Sequence, residues 1–148
     1  MFLNLNGMVY FEMVNIDYIM GLLDWKKSPE EQAQGIEMAQ NIENYNVFLQ
    51  PHNKKYNKNV WDNCAIILSK KTDDELSPYL MRLLEWLQDL NWPGAYCILD
   101  RLQEYIDDSA YNYALSTCLT YAHALNDFIW ERNLKMLKRK KQKKLNNQ

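Results

Sequence analysis

The feature that most constrains this chain is the return of apolar residues at three- and four-residue steps along most of its length. Ile16, Ile19, Met20 and Leu23 form one such stripe, and Ala33, Ile36, Ala39 and Ile42 a second. Trp61, Cys64, Ala65 and Leu68 make a third, and Leu80, Leu83, Leu84, Leu87 and Leu90 a fourth. Ala95, Ile98, Leu99, Leu102 and Ile106 give a fifth, and Ala114, Leu115, Cys118, Leu119, Ala122, Leu125 and Ile129 the longest. Each stripe occupies one face of a 3.6-residue helix, and no run of strict alternation competes with them. With only four Gly and four Pro in 148 residues, loop-rich and all-β designs are disfavoured and the length suits one domain. The expected fold class is all-α.

Start signals agree with the stripes. Ser28-Pro29-Glu30-Glu31 combines a capping Ser, a Pro at the first helical position and a Glu three residues after the cap, and Thr72-Asp73-Asp74-Glu75 offers a second such box. Ser77-Pro78 and Trp92-Pro93-Gly94 mark two further starts. Residues 44–59, rich in Asn and Lys and holding Pro51 and His52, read as the longest connection, with a short helical turn at Val47-Phe48-Leu49. Trp61–Leu68 laid on Trp92–Leu99, an offset of 31, matches at three of eight positions. Helical hairpins repeating at such intervals belong to solenoids, where each pair buries its stripe against the next; an ordinary bundle with a chance match is the alternative.

The run Leu84-Glu85-Trp86-Leu87-Gln88-Asp89-Leu90-Asn91-Trp92-Pro93-Gly94-Ala95, together with Asn59-Val60-Trp61-Asp62-Asn63-Cys64-Ala65, resembles a bacterial family of uncharacterised helical domains, of the domain of unknown function 5071 type. The likeness covers roughly residues 15–110. It implies a short HEAT-like array of antiparallel hairpins, of the right-handed α-α superhelix type, and carries over no catalytic residue. The expected organisation is an N-terminal extension over 1–14, a helical-repeat domain over 15–134 and a partly disordered basic tail over 135–148. The start lacks the positive leading region and cleavage site of a signal peptide, and Met8 or Met13 could equally begin the chain. No stretch approaches the roughly 18–20 apolar residues of a membrane span.

Little here suggests chemistry. Cys64, Cys97 and Cys118 are odd in number, match no CxxC spacing and lie on apolar stripes, which favours small buried hydrophobes and a reducing cytoplasm. His52 and His123 are the only histidines and form no metal-ligand pair, so no metal and no cofactor are expected. Ser109 and Ser116 have no nucleophile elbow, a Cys118–His123 dyad would point to different helix faces, and the isolated Gly7, Gly21, Gly35 and Gly94 make no phosphate loop. The sequence points away from an enzyme.

Charge is more informative. The formal total of −2 hides seven Lys or Arg and no acid in residues 135–148, which leaves 10 bases against 19 acids, a net −9, in the body. The acids cluster as Asp73-Asp74-Glu75, Glu85 with Asp89, Asp100 with Glu104, and Asp107-Asp108. The two four-residue pairs would each share a helix face and repel mildly, which suits either a solvated surface or a cationic partner. Trp61, Trp86 and Trp92 read as packing between hairpins, although any aromatic exposed beside the acids, Trp92 first and Trp25 similarly, is a contact candidate. The leading expectation is a non-enzymatic cytoplasmic protein-binding module docking a protein with a cationic surface. In bacterial terms this would be an immunity protein neutralising a basic toxin domain. The competing expectation is a structural platform that binds nucleic acid or a membrane surface through Lys138, Arg139, Lys140, Lys141, Lys143 and Lys144.

Overall fold

A helical turn begins where a side chain can take up its unpaired amide groups, and the chain supplies such side chains at the expected places. In the computed structural model, which describes residues 16–147 and only the backbone over 138–145, α1 spans 16–22. Ser28 then opens α2 (Pro29–Ala39): its Oγ accepts from Glu31 N–H at 3.1 Å, and the Glu31 carboxylate accepts from Ser28 N–H at 3.3 Å. After α3 (Trp61–Ser69), Thr72 and Glu75 repeat the same box ahead of α4 (Asp73–Leu76). A 3-10 turn at Ser77–Tyr79 leads into α5 (Leu80–Glu85). Gly94 precedes α6 (Ala95–Glu104), Asp108 caps α7 (Ser109–Ala124), and α8 runs Phe128–Asn146. The fold is all-α, with no strand among the described residues.

Two of the expected long stripes are broken. The fourth ends as an α-helix at Glu85, continues as a 3-10 turn over Trp86–Gln88 and leaves helical geometry at Asp89. The sixth is cut at Asn126, whose φ of 55° is the left-handed stop that Asn tolerates, and Asp127 restarts the chain by capping Trp130 N–H at 3.0 Å. Leu125 and Ile129 consequently sit exposed rather than in the core. The connection over 44–59 also differs from a plain surface loop. Two 3-10 turns, Tyr45–Phe48 and Lys58–Val60, fold it inward so that Tyr45, Phe48, Leu49 and Gln50 are buried.

Packing follows the 31-residue echo. α3 lies against α6, α5 against α7, and α8 closes on α6 and α7. The counterpart residues Trp61 and Trp92 meet edge to face with ring centroids 5.8 Å apart, and Trp86 meets Trp61 edge to face at 6.3 Å. The α6 start presses close to α3: a Cβ on Gly94 would lie 2.7 Å from Ala65 Cβ and 2.9 Å from the Trp61 carbonyl, and the φ there is 82°. Glycine alone meets both demands. Trp86 Nε1 donates to the Pro93 carbonyl at 3.0 Å and fixes the turn from the core side.

Buried polar side chains pin the helices across these contacts. Asn63 donates to the Leu23 carbonyl at 2.8 Å and to Gln32 Oε1 at 2.9 Å. From α8, Trp130 Nε1 donates to the Leu84 carbonyl at 3.0 Å, and Asn133 to that of Leu87 at 2.8 Å, where α5 gives way to the 3-10 turn. Leu134 and Leu137 are fully buried, so the boundary expected between 134 and 135 falls inside a packed stretch of α8. The segment 1–14, expected as an extension, lies outside the described residues, as do the side chains of Lys138, Arg139, Lys140, Lys141, Lys143 and Lys144.

Candidate partner-binding face

The first acidic cluster divides as soon as its hydrogen bonds are followed. Glu75, as the fourth residue of its capping box, accepts from Thr72 N–H at 3.0 Å, and its second oxygen accepts from Tyr45 O–H at 2.6 Å. The Tyr45 bond, then those from Thr72, hold the Glu75 carboxyl down at about 2, while the same contact pushes the Tyr45 phenol up to about 12. Asp73 accepts from Arg101 Nη2 at 2.6 Å and from Ile106 N–H at 2.9 Å, and Arg101 also donates to the Lys71 carbonyl at 2.9 Å. Two of the three acids are thus staples from α4 to the 44–59 connection and to the end of α6. Asp74 faces solvent.

The other expected positions sort the same way. Asp108 caps α7 by accepting from Tyr111 N–H at 2.8 Å, while Asp107 beside it is exposed. Asp89 accepts from Asn91 N–H at 2.8 Å in a turn. Glu85 lies 3.6 Å from Arg82 and 3.9 Å from His52, and the break after α5 removes it from any common helix face with Asp89. Trp92 is half-buried between Trp61 and the His52 ring, whose centroid is 6.4 Å away, so it is a packing residue before it is a surface anchor. Trp25 is exposed at the end of the turn after α1.

Asp100 and Glu104 do share a face. Both are exposed on α6, and one turn earlier the same line holds Tyr96, at 61% exposure. Asp62, exposed in the first turn of the neighbouring α3, completes the group. The half-buried Cys97 thiol lies between the two helices: burial raises its pKa, with smaller contributions from Asp100 and Asp62 and an opposing one from Ser69. Neither Tyr96 nor Asp62 stands out in the sequence, although the spacing 96, 100, 104 is legible as a helical line. The two packed helices present an aromatic ring and negative charge on one surface.

The remaining reactive residues lie elsewhere. Cys64 and Cys118 are buried and free, and burial, with a lesser effect of Glu85, pushes the Cys118 thiol up to about 12. His123 is exposed at the end of α7, 3.9 Å from Glu131. Among the described residues no group of His, Cys, Asp and Glu is placed to hold a metal ion, and no helix is long and apolar enough to cross a membrane. Two open clefts of about 340 and 440 Å³ share Asp17, Lys55 and Tyr56, where the Asp17 carboxylate accepts from Tyr56 O–H at 2.8 Å and Lys55 Nζ at 3.1 Å. Neither cleft includes a residue of the acidic face.

Compared with known proteins, residues 51–142, well over half the chain, match the family model of a domain of unknown function (DUF5071). No curated protein and no solved structure matches the chain.

Proposed function

The chain belongs to this family of unknown function, and on that premise we propose that it is a non-enzymatic protein-binding module whose α3–α6 face docks a cationic protein. The observation that carries the reading is the exposed line of Tyr96, Asp100 and Glu104 with Asp62 beside it. Like charges held on one face repel mildly in the free protein, and a cationic surface turns that repulsion into attraction and faster encounter. The net −9 of residues 1–134 extends the attraction beyond contact distance. A partly exposed Tyr supplies apolar area and a hydroxyl at little entropic cost, as interface anchors do. The side-by-side packing of α3 on α6 and of α5 on α7 supports a HEAT-like array as the platform, because each helix then buries its stripe against its counterpart.

The specific form of the proposal is a cytoplasmic bacterial immunity protein that covers the cationic site of a toxin domain. The full chain is co-expressed with the C-terminal domain of the protein encoded immediately upstream of it, which the proposal requires to be basic and toxic. Protection from toxicity and co-purification are expected, and both should be lost in a variant carrying Asp62→Lys, Asp100→Lys and Glu104→Lys that keeps its helical circular dichroism. Equal protection by that variant would remove the face from the proposal.

A second reading, polyanion binding through the Lys and Arg residues of 138–144, has its own observation: the backbone there continues α8 as a helix to Asn146. Deleting 138–148 separates the two, since it removes heparin binding in the tail reading and leaves protein binding intact in the leading one.

A further inference from the structure

α7 is the one α-helix among the described residues with no Asp, Glu, Lys or Arg in its sequence, Ser109–Ala124. Its solvent side carries uncharged polar residues, Ser109, Asn112, Ser116 and Thr120, beside Ala110, Tyr113, Tyr121 and Ala124. Here Tyr111, Ala114, Leu115, Cys118 and Ala122 are covered by the core, and the opposite side is open to solvent. Six of the nine large exposed apolar side chains fall within residues 106–129.

The open side has a pattern. Thr117, half-buried where the open side borders the covered one, stands near the middle of the helix; the exposed Tyr113 and Tyr121 lie four residues before and after it, and the exposed Ala110 and Ala124 seven before and after. Just beyond the two helix ends, Ile106 and Phe128 lie eleven before and after. The steps of three and four keep Ala110 to Ala124 on one side of the helix, as in a coiled-coil seam. Ile106 is 77% exposed, Tyr113 72%, Tyr121 54% and Phe128 68%. From Ala110 to Ala124 the line reads the same in both directions about Thr117, with the apolar Ile106 and Phe128 beyond its ends, and such a line is self-complementary when two copies meet antiparallel, as a two-fold interface requires.

We propose that the open face of α7 is a homodimer interface, with a second copy of this chain packed antiparallel on a two-fold axis at Thr117. Tyr113 then meets Tyr121 of the other copy, Ala110 meets Ala124, and Ile106 meets Phe128. The small residues allow close approach, and the tyrosines and end residues supply apolar area. Charge selects the same face: two acidic bodies repel wherever carboxylates oppose one another, and α7 brings none. Of the acids that flank its ends, Asp108 and Asp127 are turned back onto the amides of Tyr111 and Trp130 as caps, which leaves Asp107 as the exposed carboxylate beside Ile106. Tyr113, Tyr121 and Phe128 alone offer about 300–500 Å² per copy at their observed exposure. Ile106 adds to this, against the roughly 800 Å² per partner of a standard interface.

The full-length chain is tested by sedimentation equilibrium, where a dimer is expected at about 100 µM, within the micromolar or tighter range of interfaces this size. Thr117→Glu places two like charges on the axis and should weaken association more than about a hundredfold. Its helical signal and melting temperature serve as the folding control. Under mild oxidation Thr117→Cys should form a covalent dimer well beyond the wild type with its three native thiols. An equimolar mixture of Ala110→Cys and Ala124→Cys should also cross-link, whereas neither should alone, because like positions there stand about 21 Å apart along the helices. A chain that is monomeric at that concentration overturns the proposal. So does a dimer indifferent to Thr117→Glu, or one that cross-links through Ala110→Cys alone as readily as through the mixture.

Discussion

Single carboxylates in this protein divide between those that build it and those that face outward, and the division is made by the donors within reach. Glu75 is held down at about 2 by Tyr45 and Thr72, against an ordinary value of 4.5. A depressed folded pKa contributes stability that is fully present above the unfolded value and lost as pH falls through the folded one. Wild type should therefore melt higher than Glu75→Gln at neutral pH, and the gap should close between about pH 4.5 and 2 in a melting series. Asp73 is a different case, because its removal strands a partner. Arg101 is only 14% exposed at its side chain, and Ile106 N–H also loses its acceptor. Asp73→Ala is expected to destabilise by about 2–4 kcal/mol in urea unfolding, with Asp73→Asn milder because it keeps an acceptor. In the sequence, Asp73, Asp74 and Glu75 look alike; the partners Arg101 and Tyr45 stand 28 and 30 residues away from their acids. Local chemistry alone could identify the Thr72–Glu75 box and nothing of the two long-range staples.

At the scale of elements, capping residues and periodicity placed most helices, and the failures have physical causes. The stripes over 80–90 and 114–129 are continuous in apolar spacing, yet each is cut: one by the 3-10 turn at Trp86, the other by the left-handed Asn126. Trp86 and Trp130 both donate from their indoles to backbone carbonyls, so bonds made across the core take the place of helical continuity. The Trp92-Pro93-Gly94-Ala95 start is where packing is tightest. Gly94→Ala adds a methyl at positive φ against Ala65 and Trp61, and should lower stability by about 2–3 kcal/mol in thermal or urea melts. Combining it with Ala65→Gly should recover the part due to the Ala65 contact and leave the parts due to the Trp61 carbonyl and to backbone strain. Full recovery would mean that neither the Trp61 carbonyl contact nor the positive φ contributes.

For the whole molecule, the decisive contacts are those that close α8 on the rest. Ending the chain after Leu137 keeps Trp130, Asn133, Leu134 and Leu137 and should leave the melting temperature unchanged. Ending it after Asn133 removes two fully buried leucines, worth about 3–6 kcal/mol of a total that is commonly about 5–15, and should leave little cooperative unfolding. Equal melting of the two truncations would show that Leu134 and Leu137 are not needed by the core. The division of charge into an acidic body and a basic end is a property of the sequence, and so are the all-α class, the capping boxes and the resemblance to the family, because each depends on residues within a few positions of one another or on simple sums. Which acids face solvent, where a long stripe breaks, that Tyr96 and Asp62 join Asp100 and Glu104, and that α7 is left open on a self-complementary side were decided only by tertiary structure. Those outcomes depend on donors, rings and carbonyls brought together from distant parts of the chain, and spacing along a sequence carries no record of which of them will meet.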